Sequence, residues 1–248
     1  MSSWFFPAPP RPTAAVMLFC LPFAGGGATM YRRWAEGLPP AIEVVPIQPP
    51  GRENRMNETP HDRLAPLVAE LATAIAPRLD RPYAIFGHSL GALVAFELAR
   101  RLVRDGAPAP AHLFVSAFRS PERESAFAPM HALSDADFVA ALRDLGGTPE
   151  QVLDHAGLMA IFLPLLRADL AVVETHVHQD GPPLPCPITA LTGTTDPRAT
   201  EAAMAGWRHH TAAGFTQRLV PGGHFFLEDG REAVWGAIAD ALAVGPMR

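Results

Sequence analysis

The reading of this chain turns on Tyr83-Ala-Ile-Phe-Gly-His-Ser-Leu-Gly-Ala-Leu-Val-Ala-Phe-Glu97. An apolar run, Tyr83–Phe86, ends on Gly87-His88-Ser89-Leu90-Gly91. A helical pattern with Val94, Ala95, Leu98 and Leu102 on one face begins at once. The five-residue G-x-S-x-G pattern alone can arise in any glycine-rich turn. Between a strand and a helix it has the context of a nucleophile elbow, a strained turn that presents the serine hydroxyl at the edge of a sheet. Gly87 and Gly91 permit the sharp turn and close strand–helix packing. The helix N-terminus beside Ser89 favours developing negative charge. Ser89 is therefore the candidate nucleophile, and His88 is expected to flank the site without acting as base.

Outward from this stretch, Val16–Leu21, Val44–Ile47, His112–Ala117, Ile188–Thr192 and Gln217–Val220 are further short apolar runs that suit buried parallel strands. Leu64, Leu67, Leu71, Ile75 and Leu79 recur at helical spacing, as do Val234, Ile238 and Leu242 near the end. Strands alternating with helices predict an α/β fold: a mostly parallel central sheet with helices on both faces. The length of 248 residues fits one large domain, expected over 1–248. From about 120 to 185 the alternation stops. Ser134 can cap a helix (SDADFVAALRDL) ended by Gly146–Gly147, and Leu158–Val173 reads as a second helix, kinked or broken at Pro164. So long a strandless insertion is expected to form a helical lid over a site at the strand ends.

Composition removes several classes of function. All 20 basic residues are arginine, so neither a Schiff-base lysine nor a phosphate-loop lysine exists. A formal charge of −5 argues against binding nucleic acid by neutralising phosphates. Cys20 and Cys186 are too few for a disulfide framework or a structural zinc site. The apolar patch Ala14–Phe23 lacks a basic segment before it, and no run reaches the roughly 18 apolar residues of a membrane span. A soluble, cytoplasmic protein is the expectation.

A serine hydroxyl needs a histidine to take its proton and a carboxylate to orient that histidine, in the chain order Ser, acid, His for this type of elbow. Asp196, in Leu191-Thr-Gly-Thr-Thr-Asp-Pro197, follows a strand and fits the acid position, although an aspartate before proline is often only a turn former. His224, in Val220-Pro-Gly-Gly-His-Phe-Phe226, follows the last strand and fits the base. An oxyanion hole requires two preorganised donors. The Leu90 N–H is one expectation; the loop Cys20-Leu-Pro-Phe-Ala-Gly-Gly-Gly27 supplies the other, with Phe23 favoured and Ala24 second. His176-Val-His-Gln-Asp180 superficially offers a metal pattern but follows a helix and lacks a further histidine, so no metal is expected.

Several segments occur in order along the chain: L-P-F-A-G-G-G from Leu21, Trp34, Gln48-Pro-Pro-Gly-Arg52-Glu-Asn-Arg55, G-H-S-L-G-A, Leu166-Arg-Ala-Asp169, T-G-T-T-D and G-G-H-F-F. Together they resemble the type II thioesterases that accompany polyketide synthases and nonribosomal peptide synthetases. The match runs from about Leu18 to the last helix. Pro49 stands where that family usually has an aromatic residue or leucine, which alters nothing chemical. The resemblance implies an α/β-hydrolase fold, a helical lid, and hydrolysis of acyl groups from the phosphopantetheine arm of acyl- or peptidyl-carrier proteins. Phe138, Leu142, Phe162 and Leu165, on the lid helices, are expected to line an acyl channel or pack on the core. Arg52, Arg55, Arg119 and Arg123, on loops after two strands, are candidates for docking an acidic carrier, or else surface charges and structural pairs. The residues alone leave open a small-molecule carboxylesterase or lipase, a chain-releasing cyclase, and a non-catalytic receptor on the same fold.

Overall fold

A computed structural model describes residues 4–242; residues 1–3 and 243–248 of the expected domain lie outside the described residues. Six strands, β1 (Val16–Leu21), β2 (Ile42–Pro46), β3 (Tyr83–His88), β4 (His112–Ser116), β5 (Ile188–Gly193) and β6 (Phe215–Val220), form one sheet of order β2-β1-β3-β4-β5-β6. Every neighbouring pair is parallel. The strands read from the sequence are all present, with β2 and β6 starting earlier, at Ile42 and Phe215.

Five helices of two turns or more accompany them: α1 (Leu64–Ile75), α2 (Leu90–Arg104), α3 (Asp135–Leu145), α4 (Ala156–Glu174) and α5 (Arg231–Ala241). Side chains alternate across a strand, so a strand buried on both faces feeds two cores. On β1, Met17, Phe19 and Leu21 join Ile85 and Val115 in the core beneath α1 and α2. Val16, Leu18 and Cys20 join Phe86, Phe114 and Trp34 in the core beneath α5. Because all six strands point one way, their carboxyl ends open onto one edge, where open α/β sheets bind ligands. Ser89, Ala117, Asp196 and His224 all follow strand ends on that edge.

Between β4 and β5 no strand intervenes among the described residues. Ser134 caps α3 by accepting from the Asp137 N–H, and Gly146 ends it at φ 73°. The second helix differs from expectation: α4 runs unbroken through Pro164. Proline removes one backbone donor there, yet flanking turns keep the helix intact. α3 and α4 share a small core of their own with Met130, Phe138, Leu142, Leu153, Met159 and Leu166, and α4 packs on α2. By length and mean hydropathy α4 would suit a membrane span, although Arg167 and Asp169 interrupt its apolar run. It carries three charged residues with partners: Arg167 with Asp135 of α3, Asp169 with Arg52, and Glu174 with His131.

Candidate active site

The elbow forms because two glycines let α2 close against β1 and β3. A Cβ at Gly87 would lie 2.0 Å from the Gly91 carbonyl oxygen, and one at Gly91 would lie 2.3 Å from that of Leu21. Ser89 sits at φ 53° and ψ −118°, a conformation that L residues rarely hold without support. Its N–H donates to the Ser116 carbonyl at 2.8 Å, tying the turn to the end of β4.

Two loops meet Ser89 from the next strands. His224 Nε2 lies 3.0 Å from Ser89 Oγ, and His224 Nδ1 lies 2.8 Å from Asp196 Oδ2. A carboxylate only accepts, so Nδ1 carries the proton and Nε2 offers its lone pair to the serine hydroxyl. Asp196 Oδ1 accepts from the N–H groups of Arg198 at 2.8 Å and Ala199 at 3.2 Å. Burial raises the Asp196 carboxyl, but the bond from His224 and these two amides outweigh it and hold it below its ordinary value. The two loops are also joined by backbone: Thr195 N–H donates to the Gly222 carbonyl at 3.0 Å.

His88 has a role that sequence reasoning stated only negatively. Its Nε2 contacts the His224 carbonyl oxygen at 2.8 Å and its Nδ1 contacts Ser116 Oγ at 2.8 Å. The carbonyl must accept, so Nε2–H donates, and Nδ1 accepts from the Ser116 hydroxyl. Burial, with His224 nearby, pushes its pKa down to about 3, which keeps it a neutral strut beneath the His224 loop. The signal was present: a histidine buried at a strand end needs polar partners at both nitrogens.

The glycine-rich loop after β1 borders the same space. Gly26 N–H bonds the Phe23 carbonyl at 2.9 Å, and Gly25 N–H bonds Asp169 Oδ2 at 2.7 Å. The amides of Phe23 and Ala24 have no protein acceptor among the described residues. Phe23, Ala24, Ser89, Leu90 and His224 all line one cavity of about 620 Å³. Its apolar wall comes mainly from the insertion: Met130, Leu145, Leu170, Val173 and Val177. Arg119, Arg123 and Arg198 line it too. Burial lowers the pKa of both Arg119 and Arg198, opposed at Arg198 by Asp196 and Glu174.

Two sets of expected residues are corrected in part: the acyl-channel role and docking by Arg52 and Arg55 fail, while the packing alternative holds for Phe138 and Leu142 and the structural-pair alternative for the two arginines. None of Phe138, Leu142, Phe162 and Leu165 lines the cavity. Phe138 and Leu142 turn into the core of the insertion, Leu165 is buried elsewhere, and Phe162 faces solvent. The helical period aims each at a surface that its sequence position alone does not reveal. Arg52 and Arg55 are not surface charges. Arg52 donates to both Asp169 oxygens, at 2.6 and 2.8 Å, and to the Gly26 carbonyl at 3.2 Å. The side chains of that ion pair are 6% and 5% exposed. Arg55 bonds Glu58 and the Gln48 carbonyl and is equally buried. Arg119 is half-buried and Arg123 exposed, so these two remain on the cavity rim.

The H-x-H-x-D segment folds differently from its pattern. Asp180 is fully exposed, and Glu97 of α2 instead brings a ligand atom within 4.8 Å of those of His176 and His178. Arg100 donates to Glu97 at 2.8 Å and faces both imidazoles, so a guanidinium already balances that carboxylate. Nearby, His210 Nε2 lies 2.7 Å from Glu122 Oε2.

An all-parallel core sheet, a strained serine between β3 and α2, and His and Asp on the loops of the last two strands define an α/β-hydrolase. The model of the thioesterase domain family matches residues 17–242. The gramicidin S biosynthesis protein GrsT of Aneurinibacillus migulanus is 42% identical over 231 residues, covering 93% of this chain and 90% of that protein. The thioesterase PikA5 of Streptomyces venezuelae is 40% identical over 239 residues, covering 95% and 84%. The solved structure of RedJ, a thioesterase from the prodiginine biosynthetic pathway of Streptomyces coelicolor, is similar with a TM-score of 0.87. It is 40% identical, covering 95% of this chain and 89% of that one. The chain belongs to the thioesterase family, among the type II thioesterases of polyketide and nonribosomal peptide biosynthesis. It is a thioester hydrolase.

Proposed function

We propose that the chain hydrolyses acyl groups from the phosphopantetheine arm of acyl- or peptidyl-carrier proteins through a covalent acyl-enzyme on Ser89. The observation that carries this reading is the hydrogen-bonded series Ser89 Oγ, His224, Asp196 at one wall of an apolar cavity. His224 Nε2 takes the hydroxyl proton as Ser89 Oγ bonds to the thioester carbonyl carbon. The oxyanion is met by the N–H of Leu90 and of Phe23, with Ala24 the second choice. Collapse breaks the carbon–sulfur bond, and His224 returns its proton to the departing thiolate. His224 then deprotonates a water, which attacks the acyl-enzyme and releases the carboxylic acid and the free serine. Asp196 stays ionised and holds the ring in the required tautomer.

In this reading the whole chain is one catalytic domain whose insertion, residues 120–185, is a lid. It excludes bulk water and encloses the acyl chain between Met130, Leu145, Leu170 and Val173. A carrier protein approaches the rim, with Arg119 and Arg123 as the local positive charge on an acidic molecule. No cofactor takes part, and the substrates place the reaction in the cytoplasm. A fluorophosphonate followed by mass spectrometry tests the core of the proposal: one adduct, on Ser89, is expected. An adduct on another serine overturns it. Hydrolysis of one acyl group on a carrier protein and on a short thiol tests the substrate class; a preference for the short thiol would favour a small-molecule esterase.

A further inference from the structure

The protein carries more acids than bases, and most of its buried or half-buried arginines are matched to carboxylates, as Arg52, Arg55, Arg81 and Arg100 are. Arg119 is, with Arg11, Arg78, Arg198 and Arg231, one of the half-buried arginines among the described residues that no carboxylate pairs. It follows β4, half-buried on the wall of the cavity that Ser89 shares. Its Nε donates to the Arg123 carbonyl at 2.8 Å, and its guanidinium carbon sits 5.1 Å from the centre of the Phe118 ring. These two contacts orient the group, yet both terminal NH₂ groups lack a protein acceptor among the described residues. Neighbouring acids are engaged elsewhere: Glu122 with Ser120 and His210, Glu174 with His131 and the backbone of Met130. Glu124 and Asp180 stand at the exposed rim. His176, which also lines the cavity and senses the Arg119 charge, has a buried Nε2 without a partner.

An oriented guanidinium with its fork free, desolvated and beside an unmatched imidazole, is built to take an anion with two or more oxygens. We propose that Arg119 is an anion subsite that takes the phosphate of the phosphopantetheine arm. The inference rests on the carrier-thioester reading above and deepens it: the enzyme recognises the arm by its phosphate as well as by its acyl end. Arg119 lies three residues beyond Ser116, whose carbonyl holds the Ser89 N–H. Arg119 and Ser89 line one cavity, so a single bound arm can meet both. An acyl carboxylate is the other source of the same chemistry.

The experiment compares acetyl-pantetheine, acetyl-4′-phosphopantetheine and malonyl-pantetheine on the full-length wild-type enzyme, R119Q, R119K and the surface control R208Q. For wild type, the phosphate is expected to raise kcat/KM about tenfold, chiefly through KM, equivalent to about 1.4 kcal/mol. R119Q should erase that ratio, R119K should keep part of it, and R208Q should keep all of it. An unchanged ratio in R119Q overturns the proposal, as does an equal loss on both acetyl substrates, which would make Arg119 a structural residue. If R119Q instead erases a preference for malonyl over acetyl, the anion is the acyl carboxylate and the phosphate assignment fails. Equal rates on the two acetyl substrates in wild type would overturn the subsite alone. No hydrolysis of any thioester would overturn the enzymatic reading itself.

Discussion

The carboxyl edge of the sheet and the insertion that covers it are built from residues of similar character but obey different logic. At the sheet edge each site residue follows a strand within a few positions, and short backbone bonds fix it: Ser89 to Ser116, Thr195 to Gly222. In the insertion, residues answer to distant partners. Asp169 of α4 bonds Arg52, 117 positions away, and the amide of Gly25, 144 away. What a residue does at the edge is set by where its strand ends, whereas what it does in the insertion is set by which face of a helix it occupies.

The sharpest way to break this comparison is at the edge. Ser89→Ala should lower kcat on the order of 10⁶-fold, by analogy with serine-hydrolase knockouts, with an unchanged urea midpoint because only one hydroxyl is removed. A variant that keeps even a hundredth of wild-type turnover would disprove the nucleophile. Asp196→Asn should follow with a loss of up to about 10⁴, through the wrong histidine tautomer. Asp180→Asn, fully exposed, should leave turnover within twofold (roughly the ±0.5 kcal/mol of a neutral surface change).

Asp169→Asn separates the two regions. It touches neither Ser89 nor His224, but it strips the charge from a buried pair and leaves Arg52 unmatched. The expected effect is a loss of about 3–5 kcal/mol of stability, read by urea denaturation, with turnover at low temperature close to wild type. A large loss of turnover in a fully folded variant would make Asp169 part of the reaction instead. Sequence reading left Arg52 between carrier docking, a surface charge and a structural pair for a physical reason: nothing local marks a guanidinium for burial when its carboxylate arrives from a helix 117 residues on. The elbow was legible because glycines, serine and strand are contiguous, and Asp196 and His224 because strand ends announce loops. The helical insertion was legible from a missing strand, but not which face of its helices lines the cavity. Phe138 and Leu142 share a helix with Leu145, and only Leu145 reaches the cavity.

That division predicts different outcomes for two apolar residues of the same helix. Leu170→Trp, on the cavity wall, should shorten the tolerated acyl chain, lowering kcat/KM for long chains about tenfold (about 1.4 kcal/mol) relative to acetyl. Phe162→Trp, on the exposed face of α4, should leave the chain-length profile unchanged. If Phe162→Trp shifted the profile and Leu170→Trp did not, the assignment of the acyl wall would be reversed.

The sheet has a dependence on pH that owes nothing to the insertion. His88 and His112 both lie in the sheet, and burial pushes them down from 6.5 to about 3 and about 4. Between 6.5 and those values the unfolded chain binds a proton at each site and the native protein does not. Stability from these groups is therefore complete above 6.5 and declines as pH falls through that window. Asp196, held below its ordinary value, adds a further loss only below about 3.8. Each histidine contributes a slope approaching about 1.4 kcal/mol per pH unit inside the window. Urea midpoints at pH 7.5, 6.0 and 5.0 should thus fall progressively. His112 bonds Thr189 Oγ1 at 2.8 Å and stacks on Phe114, away from the catalytic loops. His112→Gln keeps a polar partner for Thr189 but cannot take up a proton, so it should be less stable than wild type at pH 7.5 and lose less on acidification. A slope identical to wild type would mean that His112 is protonated in the native sheet, and that acid acts first on another part of the molecule.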